Sequence, residues 1–339
     1  MISAVRATRP APATAEERFT SVVRQDAAMG GRIVLRATTQ QGREAEASAD
    51  LQAAARRVRA WASLLTRHGA DSALLRLNAD PRDEVPVGPT LAAALAWAAD
   101  AAAFTSGVVD ATMLDARLAA ERATGVHLPT LSDGLHPLDP GVARRSSWSL
   151  LPAASGRTTR SGAVVRRDPE VRFDLDGVAK GWIADRALSL LGRHPGAIVD
   201  ADGDVALRLA PGERVPVGVG DPREPDANLA VLALEAPATA PATFGVATSG
   251  ISIHRWDDGG HERHHLIDPR TGRPATTDVV QATAIAGSAR MAEAFAKTAV
   301  ILGSVDGLEF LARIGAAGAI LLLRDGRVVA LPSTTRFLA

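Results

Sequence analysis

Asp174-Leu175-Asp176-Gly177-Val178-Ala179-Lys180-Gly181 places two carboxylates, an ammonium and two glycines within eight residues. An apolar and arginine-bearing run, Val171 to Leu175, leads into it. Ile183, Ala187, Leu190 and Leu191 follow at the spacing of a helix that buries one side, so a helix is expected to begin near Lys180. The first turn of a helix offers free N–H groups, which suit an anion. Glycines lacking Cβ let the backbone approach a ligand closely. With Lys180 as a mobile positive charge, the layout suits a pyrophosphate with a metal nearby. It is equally the pattern of an ordinary strand-to-helix turn, and the stretch by itself leaves both readings open.

Other residues could contribute. Asp110 lies in an apolar setting, Val108 to Leu114, as either a carboxylate needing partners or a turn or cap aspartate for the next helix. Asp200-Ala201-Asp202-Gly203-Asp204 resembles the start of a calcium loop. Val205 stands where that loop needs glycine, and Pro211 where it needs a chelating glutamate, so a hairpin turn is expected. Thr248 and Ser249 could bond phosphates or local backbone. His254, His261, His264 and His265 lie close in sequence. Adjacent residues on a strand point to opposite faces, however, so one inward histidine able to move a proton is expected in place of a closed zinc site. Glu293 and Lys297, four apart on a predicted helix, would make an exposed ion pair if they did nothing else.

Several elements would carry these residues. Arg32 to Thr38 reads as a strand. Ala45 to about His68 reads as a helix burying Leu51, Ala55, Val58, Ala62 and Leu65. Ala73 to Asn78 forms a short segment. Leu91 to Phe104 is a second helix with Thr90 as its cap. Residues 125–170 look loop-rich, with a short helix or hairpin. Ala197 to Val199, Val205 to Leu209, Val215 to Gly220, Leu229 to Leu234 and the run up to Gly250 read as strands. Helices follow over Ser288 to Leu302 and Val305 to Ile314, then a hairpin around Asp325-Gly326. Residues 1–22 are expected as a flexible tail and 23–339 as one domain.

Composition excludes several classes. The chain has 339 residues, 46% hydrophobic and 22% charged, the balance of a globular protein. Lys+Arg and Asp+Glu both number 38, so no global field favours nucleic acid. With no cysteine, disulfides, thiolate zinc and a cysteine nucleophile are absent. No apolar run reaches membrane-spanning length, and the start, Met1 to Thr14, lacks the apolar core of a signal peptide. A cytoplasmic protein is expected.

The order of the motifs says more than any one of them. Met29-Gly30, Asp71-Ser72-x-Leu74-x-Arg76-Leu77-Asn78, Asp110-Ala111-Thr112, the Asp174–Gly181 turn, Val199-Asp200-Ala201-x-Gly203-Asp204, Ala247-Thr248-Ser249-Gly250, His265-x-Ile267-Asp268-Pro269-Arg270-Thr271-Gly272 and Ala292-Glu293-Ala294 occur in series. This series resembles the ApbE family, the FAD:protein FMN transferases, from about Asp26 to Pro332. The resemblance implies an α+β fold of ApbE type, T-fold-like, with a mixed sheet, flanking helices and a smaller lobe. It implies transfer of FMN from FAD to a threonine or serine hydroxyl of an acceptor protein, with release of AMP. By position, Met29 would contact flavin or adenine, Asp110 and Asp174 would hold the nucleotide, and Lys180 would face the pyrophosphate. Thr248 and Ser249 would line the pocket, His265 would act on the acceptor hydroxyl, and Asp268 would shape its loop.

The chain departs from the family pattern in three ways. Its magnesium site uses an aspartate and a threonine four residues apart, plus the carbonyl corresponding to Ala179; here Glu293 and Lys297 take the side-chain places. Lysine cannot ligate as an ammonium, so weakened magnesium binding is expected, or Lys297 standing in for part of the metal's charge. The aromatic residue that stacks on the isoalloxazine aligns with His68, leaving Trp256 or Trp182 as replacements. Asp176 replaces a small residue, to join a displaced metal site or to cap the turn. Two alternatives to transfer follow: an FAD-binding protein that has lost it, and an FAD pyrophosphatase releasing FMN and AMP.

Overall fold

The computed structural model describes residues 19–69, 72–122, 147–152, 162–252, 255–258 and 261–339. Its frame is an eight-stranded sheet, antiparallel at every pairing. In chain order the strands are β1 (Phe19–Ala28), β2 (Gly31–Gln40), β6 (Gly196–Ala201), β7 (Asp204–Leu209), β10 (Ala242–Gly250), β15 (Val279–Ala286), β16 (Gly318–Leu323) and β17 (Val328–Ala330), and they lie in that spatial order. β2 alternates, with Ile33, Leu35 and Ala37 fully buried, because only one of its faces meets the core. β1 begins at Phe19 and pairs Phe19 to Val22 with Ala37 to Gln40, so those four residues, expected in the tail, are part of the sheet.

Helices α1 (Glu44–Leu65), α5 (Ala179–Leu190) and α6 (Ala289–Leu302) pack on one face. α1 buries Leu51, Ala55, Val58 and Leu65 as expected. Trp61 is also buried, whereas Ala62 is only half-buried. The ribbon β8 (Arg214–Asp221) and β9 (Glu224–Glu235) covers the other face, its Val215, Val219, Leu232 and Leu234 meeting Leu207, Val246, Ile285 and Ile320. Covered on both sides, β16 is buried at all six positions.

A smaller lobe surrounds the three-stranded sheet of β3 (Glu84–Val87), β5 (Ala163–Arg167) and β4 (Trp148–Pro152), with α2 (Ala73–Ala79), α3 (Pro89–Phe104) and α4 (Leu114–Arg122). The segment starting at Ala73 is a helix, capped by the Ser72 hydroxyl at the amides of Leu74 and Leu75. Thr90 is not the cap of α3. Gly88 holds that place and Pro89 opens the helix, where its missing N–H goes unused. Of the loop-rich stretch expected over 125–170, 125–146 and 153–161 lie outside the described residues; its hairpin is β4 against β5.

Two short strand pairs, β11 (Arg255–Asp258) with β12 (His261–His264) and β13 (Ile267–Asp268) with β14 (Arg273–Pro274), lead into the edge of the cleft. α7 (Ser304–Arg313) and the 3-10 turn Pro332–Phe337 complete the chain.

Candidate active site

Four segments that are remote in sequence meet in one cleft. They are residues 108–113 after α3, the turn 174–178, residues 265–267 and one side of α6 at Lys297 and Ile301. The space between them opens to solvent. Asp110, Asp174, His265 and Lys297, all named from sequence, line it together. Backbone and side-chain bonds hold the segments. The Asp174 amide donates to the Ala111 carbonyl at 2.7 Å. Asn78 clamps Phe173 from both sides, its amide donating to the Phe173 carbonyl and its oxygen accepting the Phe173 N–H, each at 2.8 Å.

Asp110 fulfils both of its open readings. Its Oδ1 accepts the amide and the hydroxyl of Thr112, each at 2.8 Å, and the residue still faces the cleft. Asp174 is held more firmly, accepting from Arg117 at 2.7 Å and from the Asp176 amide at 3.0 Å. Burial alone would raise its carboxyl. The guanidiniums of Arg117 and Arg67 outweigh that and hold it well below the usual carboxylate range. Asp176 pairs with Arg117 at 3.0 Å and Arg67 at 3.3 Å, and Glu121 receives both arginines. Asp176 is thus committed to guanidiniums and does not form a displaced metal site. Arg67, Arg117 and Glu121 were missed in the sequence. The only signal was the helical i, i+4 spacing of Arg117 and Glu121.

The pair Glu293 and Lys297 is not an exposed ion pair. Glu293 is buried, and its carboxylate makes no ion pair with the Lys297 amine within 4.0 Å. Its Oε2 accepts the Gly181 N–H at 3.0 Å. Burial, reinforced by Asp204 and only partly offset by Lys297 and Lys180, pushes its carboxyl up to about 8. This arrangement fits a magnesium ion poorly. The carboxyl already accepts a hydrogen bond, and a lysine, which cannot ligate as an ammonium, stands one helical turn further on. Among the described residues no group of three or more His, Asp or Glu could hold a metal. Ala179, whose carbonyl was expected to complete that site, is the buried first residue of α5.

Lys180 does not line this cleft. Its ammonium turns to the hairpin between β6 and β7, 3.6 Å from Asp204 and 3.5 Å from the Asp202 carbonyl. Asp204 is buried there, and desolvation pushes its carboxyl up to about 6 against the pull of Lys180 and Lys297. Asp202 and Gly203 form the hairpin turn, both at positive φ, with the Gly203 amide on Asp200 at 2.8 Å. Met29 sits at the neighbouring β1–β2 turn at φ 56°, half-buried against the core. Thr248 and Ser249 lie on β10 beyond the end of its pairing with β7, at the same end of the sheet. The Thr248 hydroxyl shares a 2.8 Å bond with that of Thr283. The sequence-named residues therefore fall into two adjoining groups: the cleft, and the strand ends around Lys180.

The histidine pair divides as expected. His264 is buried, its Nε2 at 2.9 Å from the Ala275 carbonyl, while His265 faces the cleft. Asp268 shapes the following turn: its carboxylate takes the amide and guanidinium of Arg270, and its carbonyl takes the amides of Thr271 and Gly272. Trp182 cannot stack on a bound ring, because it is buried edge-to-face against Trp61 with centroids 6.2 Å apart. His68 is exposed beside Arg67. The side chains of His254, Trp256 and His261 lie outside the described residues.

A family model described as the ApbE family matches residues 29–321. The chain belongs to the ApbE family. It is 29% identical over 170 residues to the FAD:protein FMN transferase of Treponema pallidum, covering 47% of this chain and 45% of that one. It is 31% identical over 209 residues to the protein of the same name in Rhodobacter capsulatus, covering 59% and 38%. The matched segments thus span less than half the length of these relatives. In three dimensions the chain is similar to the ApbE protein of Thermotoga maritima, with a TM-score of 0.73 at 22% identity, covering 94% of this chain and all of that one. A flavin transferase ApbE from Vibrio cholerae gives 0.67 at 20% identity, again over 94% and 100%. These likenesses establish the ApbE fold.

Proposed function

We propose that this chain transfers FMN from FAD to a threonine or serine hydroxyl of an acceptor protein. The acceptor oxygen bonds to the FMN phosphorus as the bond from that phosphorus to the bridging oxygen breaks. The bridging oxygen leaves with AMP, and the hydroxyl proton passes to His265. The observation that carries this reading is the convergence of His265, Asp110, Asp174 and Lys297 on one cleft. Asp110 and Asp174 orient the nucleotide, Asp268 fixes the turn that carries His265, and Met29, Thr248, Ser249 and Lys180 receive the remainder of the dinucleotide at the adjoining strand ends. Residues 23–339, extended to Phe19 by β1, act as one unit. No described helix is long and apolar enough to cross a membrane, and we place the protein and its acceptor in the cytoplasm.

Incubation of the pure protein with FAD and a threonine-bearing peptide tests the reading. Covalently yellow peptide is the expected product. Free FMN and AMP alone would identify a pyrophosphatase. Intact bound FAD would identify a binding protein, the reading that the ammonium at Lys297 favours. His265→Ala is expected to abolish transfer while FAD still binds; surviving transfer would remove His265 from the role of base.

A further inference from the structure

We infer that Lys297 is a built-in cation for the diphosphate of the dinucleotide, so that this chain binds FAD with no requirement for a divalent metal. The inference rests on the FAD reading above. Of the cations nearest the Asp174–Gly181 turn, three are spoken for. Arg67 is held by Glu121 and Asp176, Arg117 by Glu121, Asp174 and Asp176, and Lys180 by Asp204. Among the described residues, Lys297 has no hydrogen bond or ion pair within 4.0 Å, yet it lines the cleft. Burial pushes the Lys297 amine down while Glu293, Asp174 and Asp176 pull it up, and an anion entering the cleft beside it favours the charged form.

The cleft is also shaped around this side chain. A Cβ built on Gly177 would lie 1.4 Å from Lys297 Nζ, so the ammonium occupies room that only glycine leaves. Gly177 is part of the turn that carries Asp174 and Asp176. The charge is therefore seated against the backbone of the nucleotide-binding turn, where a free cation would otherwise have to be held. Glu293, one helical turn earlier, bonds the Gly181 amide and contributes no ready ligand for such a cation. A tethered ammonium is present at every metal concentration, whereas a magnesium ion must be bound from solution.

FAD binding by the full chain, measured by titration calorimetry in magnesium and in excess chelator, tests this. The wild type is expected to show the same affinity in both media, within about threefold. Lys297→Met is expected to bind FAD about tenfold or more weakly, with no recovery on adding magnesium, since one charge-assisted contact is lost. Gly177→Ala, whose methyl would displace the ammonium, should weaken binding in the same direction. Thermal melts of both variants show that they are folded, and if one does not fold, the other decides. Magnesium tightening the wild type tenfold would overturn the inference while leaving the FAD reading intact, as would wild-type affinity in the folded variants. A wild type that binds no FAD in either medium would refute the FAD reading and this inference with it.

Discussion

Arg117→Met removes the guanidinium at the centre of the cleft's ion network, and its effect can be worked from the contacts. Arg117 is 13% exposed and bonds Asp174, Asp176 and Glu121 at 2.7 to 3.0 Å. Glu121 would keep two bonds from Arg67, at 2.7 and 3.1 Å, and Asp176, a third exposed, would turn to solvent. Asp174, only 10% exposed, would retain just the Asp176 amide. Breaking a buried pair from one side costs roughly 3–5 kcal/mol. With only one of three carboxylates stranded, the low end applies, about 3 kcal/mol. Urea unfolding followed by tryptophan fluorescence measures it. The pH dependence gives a second check. The Asp174 carboxyl is depressed in the folded chain, so its contribution is present above its unfolded value of about 3.9 and is lost as pH falls. The gap between wild type and variant should therefore be full at neutral pH and shrink below pH ~4. A neutral-pH loss under about 1 kcal/mol, or a gap that persists in acid, would refute the reasoning.

Two further predictions concern α5 and α6. Glu293 titrates upward in the folded chain, so the native state binds the extra proton between about pH 4.3 and its raised value of about 8, and stability falls as pH rises through that window. Glu293→Gln keeps an acceptor for the Gly181 amide and should flatten this slope, with the melting-temperature advantage of the variant growing from pH 5 to pH 8. A parallel pair of curves would show that the carboxyl is not protonated there. Gly181→Ala would place a methyl 2.7 Å from the carbonyl group of Ala289 and 2.8 Å from the Arg290 Cα, all backbone atoms. Forcing the helices apart should cost about 1–3 kcal/mol in urea unfolding and weaken FAD binding; an unchanged midpoint would mean that the crossing has slack.

The charges around the site form a graded series rather than a uniform field. Asp174 is kept ionised by guanidiniums, whereas Glu293 and Asp204, behind it, are pushed toward their neutral forms by burial. The ionised carboxylate faces the cleft, and the two raised ones stand near Lys297 and Lys180.

Much of this was legible in the amino-acid order. Regular spacing gave α1, α5 and α6, and alternation gave β2. Asp-Gly and Asp-x-Gly turns gave their hairpins, because these signals depend on interactions a few residues apart. β15 was not anticipated. It is buried on both faces and built of small residues with Gln281 and Thr283, so it shows neither period two nor a bulky apolar run. The Thr90 cap failed because Pro89 at the first helical position is itself a start signal that competes one residue earlier.

The residue types alone determined that Asp110, Asp174, His265 and Lys297 could do chemistry, since charge, proton affinity and helical spacing are properties of the chain itself. Only the tertiary structure decided which of them share a cleft. It moved Lys180 to the β6–β7 hairpin, brought Arg67 and Arg117 onto Asp174 and Asp176, and buried Glu293 away from its expected partner. Coulomb energies and desolvation depend on distances between segments dozens to hundreds of residues apart, and those distances exist only once the sheet and its helices have closed on one another.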